Sequence, residues 1–62
     1  MYAEFYSLYS KYARLGMPSL LAIEGALLSI GRADLITEIH KQNYLADILF
    51  FLKNNLEADY TE

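Results

Sequence analysis

Sixty-two residues, 55% hydrophobic and 21% charged, describe one small folded domain; a disordered chain carries far less apolar material. The net charge of −3 speaks against a role dominated by phosphate binding, which draws its affinity from clustered Lys and Arg. Without cysteine there is neither a disulfide nor a thiolate zinc site, and a single histidine rules out a His-His metal pair.

Valine is absent, threonine occurs only at Thr37 and Thr61, and Leu and Ala abound, a mixture suited to helices rather than strands. The expected fold is all-α: a small bundle of three to four short helices, completed by oligomerisation. Helices are predicted at about 2–15, 18–31, 34–42 and 45–57, with a frayed tail at 58–62. Folding such a chain buries on the order of 6,000 Å². The apolar part of that area is worth roughly 90 kcal/mol, and ordering the residues costs about the same. A monomer would then be marginal, and with no disulfide or metal to help, association is the remaining device.

The first element, 2–15, separates cleanly when wound at 100° per residue. Tyr2, Phe5, Tyr6, Leu8, Tyr9, Tyr12, Ala13 and Leu15 share one side, and Glu4, Ser7, Ser10, Lys11 and Arg14 lie opposite. Gly16 is a natural stop. The tyrosines could stack single-stranded bases, but the basic residues such a platform needs lie on the other face. Tyr2, Tyr6 and Tyr9 are therefore read as filling a protein interface, their hydroxyls near water.

Pro18 opens the second element, PSLLAIEGALLSIGRA, which shows no ordinary water-facing side. Leu20, Leu21, Ile23, Leu27, Leu28 and Ile30 make one half of it; Ala22, Gly25, Ala26, Ser29 and Ala33 make most of the other. The small residues recur at the spacing that lets two helix backbones approach, which nominates Ala22, Gly25, Ala26 and Ser29 for an interface. Glu24 stands among the leucines, where a buried carboxylate needs a partner; a tyrosine hydroxyl of the first helix or a basic residue of a second chain is expected.

Gly31 breaks the pattern before Asp34 and Glu38 would enter the apolar face, and Asp34 is expected to cap a third helix with Leu35, Ile36 and Ile39 inward. The last helix carries the stripe Leu45, Ile48, Leu49, Leu52 and Leu56; Phe50 falls off it, beside Lys53 and Asn54, and reads as an interface residue.

No catalytic constellation is present: His40 would need an orienting partner, which Asp47 or Glu38 could supply only by accident of folding, and it is placed in solvent with Lys41 near a helix end; there is no phosphate loop or nucleophile elbow. No enzyme activity, cofactor or metal is expected. Read from Leu21, the chain approximates a DNA-binding helix-turn-helix, with Ala26, Ile36 and Ile39 at its apolar positions. Arg32, His40, Lys41, Gln42 and Asn43 would then lie on or near the reading helix. Gly31 is one place off and Asp34 and Glu38 cancel the positive charge, so nucleic acid is the second reading.

The segment Leu27–Ile36, LLSIGRADLI, resembles the Arg-x-Asp-Leu segment of death-effector domains through Arg32, Asp34 and Leu35. The likeness covers ten residues and the chain is too short for the helices of that family, so no residue role is carried over. What it implies is helical protein–protein assembly. With no basic n-region after Met1 and no apolar run long enough for a membrane span, the protein is expected in the cytoplasm. The leading expectation is a small non-enzymatic regulator or adaptor of phage or plasmid type, binding itself and a protein target.

Overall fold

The computed structural model describes residues 1–57. Four helices follow one another: α1 (Tyr2–Arg14), α2 (Ser19–Ser29), α3 (Asp34–Ile39) and α4 (Leu45–Glu57). No strand occurs among the described residues, so the all-α expectation holds. The tail expected to fray lies outside them.

Both early boundaries are set by glycine. Gly16 and Gly31 have φ of 95° and 78°, the left-handed region that only a residue without Cβ enters freely. At each, the glycine N–H and the following N–H turn back onto the helix. Gly16 donates to the Ala13 carbonyl (3.0 Å) and Met17 to that of Tyr12 (3.2 Å); Gly31 donates to Leu28 (3.2 Å) and Arg32 to Leu27 (2.9 Å). These are paired Schellman closures, and they end α2 sooner than apolar periodicity alone would. Gly31→Ala is expected to cost about 1–2 kcal/mol from the left-handed strain, read as a lower urea midpoint with an unchanged slope.

The Gly31 turn sets α3 off in a new direction, as the pattern around Asp34 and Glu38 required. Asp34 does not cap it, however. The cap position is Ala33, and Asp34 is the first helical residue. Its carboxylate faces back to Arg32, accepting from Nε at 3.1 Å and from Nη2 at 3.2 Å. The guanidinium hydrogen bond holds the Asp34 carboxyl below its ordinary pKa. Arg32 also reaches the Met1 sulfur at 4.0 Å, so this joint leans on the start of α1.

The core joins Phe5 of α1, Ile23, Ala26 and Leu27 of α2, Leu35 and Ile39 of α3, and Ile48, Leu52 and Leu56 of α4. Tyr2, Leu8, Tyr9, Tyr12, Ile30, Ile36, Leu49 and Phe51 pack around it half-buried. Of the stripes on α1 and α4, Leu15, at the α1–α2 turn, and Leu45, in the first turn of α4, are exposed. Aromatic rings line the inner side of α1, with Phe5 and Tyr9 stacked at 6.1 Å and Tyr6 edge-on to Tyr9 at 5.6 Å. Burial is the main cause that pushes the Tyr2 hydroxyl above its ordinary pKa, with the charge of Glu57 at the end of α4 among the lesser ones.

The chief interhelical contact is α1 against α2. It uses the small side of α2: Ala22 and Ala26 are fully buried, and the Tyr12 ring lies over Gly25, where an added Cβ would meet Cε2 at 3.4 Å. The Tyr12 hydroxyl and the Ser29 hydroxyl share a hydrogen bond at 3.2 Å. Bulky rings on one helix and missing side chains on the other are complementary in volume, which lets the axes close. Ordinary contact at 3.4 Å means that Gly25→Ala is tolerated. It should raise stability by about 0.5–1 kcal/mol, the helix-interior difference between the two residues. Gly25→Leu should lower stability by about 1–3 kcal/mol by displacing Tyr12, and thermal melts of the two variants check both signs.

The expectation that 62 residues cannot shield α2 is half corrected. The accessible surface, 4056 Å², matches the roughly 4,100 Å² of a folded monomer of this mass. One side of α2 is closed by the chain itself; the other is not.

Candidate interaction surface

The open side of α2 carries Leu20, Leu21 and Leu28, which are 40%, 53% and 60% exposed. On a helix, Leu20, Glu24 and Leu28 stack one turn apart and Leu21 stands beside them, so the three leucines frame the carboxylate. The large half of α2 is thus split. Ile23 and Leu27 turn inward to the shared core, while the other leucines face water because α1 occupies the small side.

Glu24 does have a partner, but neither of the expected ones. Nε2 of His40, at the end of α3, donates to its Oε2 at 2.6 Å. The Glu24 side chain is 24% exposed and that of His40 52%, so the pair sits at the rim of the leucine face with its imidazole outermost. His40 is therefore not the unattached solvent histidine that its position near a helix end suggested. Beside it Lys41 holds Glu38 at 3.4 Å. All three basic residues of the second reading, Arg32, His40 and Lys41, face carboxylates. The α3 helix ends at Ile39, leaving Lys41, Gln42 and Asn43 beyond it rather than on a reading helix.

The residues nominated from the sequence do not gather at one place. Ala22 and Ala26 are wholly inside the single chain, under α1, and Gly25 lies beneath Tyr12. Ser29 is exposed and tied to Tyr12; Tyr2 and Tyr9 are half-buried against the core; Tyr6 is partly exposed along α1. Phe50 is 69% exposed on the outer face of α4, where the sequence put it. Leu20, Leu21 and Leu28 were assigned to burial, yet the sequence held a signal against that. In a helix apolar all round, the one charged residue marks the wet side, and Glu24 lies among these three.

Elsewhere an open groove of 710 Å³ runs between α1 and the end of α2, lined by Ala3, Glu4, Ser7, Leu8, Ser29 and Ile30. It offers the Glu4 carboxylate and the hydroxyls of Ser7 and Ser29, but the Ser29 hydroxyl is bonded to Tyr12 and Glu4 is hydrogen-bonded to neither serine.

No known protein family, curated protein or solved structure matches this chain. Among the described residues, no helix is long and apolar enough to cross a membrane, and no group of three His, Asp or Glu is placed to hold a metal ion. The exposed leucine face with its Glu24–His40 pair is the candidate site.

Proposed function

We propose that this chain is a non-enzymatic protein-binding module, a small regulator or adaptor that acts as an assembly of its own copies through the open face of α2. The observation that carries this reading is the exposure of Leu20, Leu21 and Leu28 side by side on a helix whose opposite side is already packed. Grouped leucines on the surface of a small domain mark a contact site more often than scattered ones do. The pairing of Arg32, His40 and Lys41 with carboxylates favours this reading over DNA binding, since those groups would have to leave their partners to meet phosphates. Three leucines are an anchor rather than a whole interface, as stable dimers bury about 1,600 Å² in total. The association is accordingly weak and reversible.

Sedimentation velocity over about a hundredfold range of concentration tests it. The wild-type chain should gain mass as concentration rises, and Leu21→Lys combined with Leu28→Lys should stay monomeric with unchanged helical circular dichroism. A wild-type chain that remains monomeric across the range would overturn the reading. A duplex DNA retarded by the monomer in a low-salt gel would favour the helix-turn-helix reading instead.

A further inference from the structure

We draw no further inference here: the strongest candidate, the open face of α2 where Leu20, Leu21 and Leu28 surround the Glu24–His40 pair, carries nothing beyond the docking reading above, because its acid and base already satisfy each other within one chain and nothing in the structure shows what covers it.

Discussion

Phe5→Ala is expected to leave the chain unfolded at room temperature. Phe5 is fully buried and is the one α1 side chain wholly inside the core, where it meets α2 and α4 and stacks on Tyr9. Truncating a buried phenylalanine costs about 3–5 kcal/mol, because the transfer free energy is lost and a cavity is left. A domain this small has a total stability on the order of 3–9 kcal/mol. The near-zero balance of so short a chain places this protein toward the lower end of that range, where the loss takes most or all of it. Far-ultraviolet circular dichroism would show helical signal falling toward that of a coil, and a urea titration would begin without a folded baseline. A cooperative transition less than about 1 kcal/mol below wild type would mean that the space left by Phe5 is refilled by neighbouring rings.

Ala26→Arg should have an effect of similar size for a different reason. Ala26 is fully buried on the side of α2 that α1 covers, one turn from Ala22 and beside the Gly25–Tyr12 contact. A guanidinium there has no room and no carboxylate to meet, and burying an unpaired charge costs several kcal/mol. The expected outcome is loss of the folded state at every protein concentration. Ala26→Ser, nearly the same in volume, should fold, with a penalty of about 1 kcal/mol, because its hydroxyl can donate to the Ala22 carbonyl one turn back. If Ala26→Arg folds as a monomer with native helicity, α1 does not close on α2 as described.

These two positions show how far the sequence could be read. The helices were legible from their apolar periodicity, and the first two also from a chemical stop. The bounds of α1 and α4 fall within one residue of the periodic pattern, and glycine in a left-handed conformation ends α1 and α2 where Gly16 and Gly31 stand. Phe5, Ile39, Leu52 and Leu56 were legible as core because they lie on clean apolar stripes. The orientation of α2 was not. Its two halves are both apolar, so periodicity gives no direction, and the choice was made by the aromatic rings of α1. Those rings need shallow ground and found it at Ala22, Gly25 and Ala26. For that reason Leu20, Leu21 and Leu28 ended outside, and residues nominated for an interface between chains ended beneath Tyr12. The Glu24–His40 hydrogen bond was equally hidden. The residues are sixteen apart, and only the angle taken at the Gly31 turn brings them together.

The same α1–α2 contact has a kinetic consequence. The two helices that share most of the interhelical surface are neighbours along the chain, separated by the short stretch from Leu15 to Pro18. Bringing Tyr12 onto Gly25 closes only a small loop, so little chain entropy stands in the way. An antiparallel pair of this kind can assemble before α3 and α4 find their places, as expected for low contact order and rapid barrier crossing. Gly25→Leu would then slow refolding and Gly25→Ala would speed it, while destabilising changes in α4 would chiefly hasten unfolding.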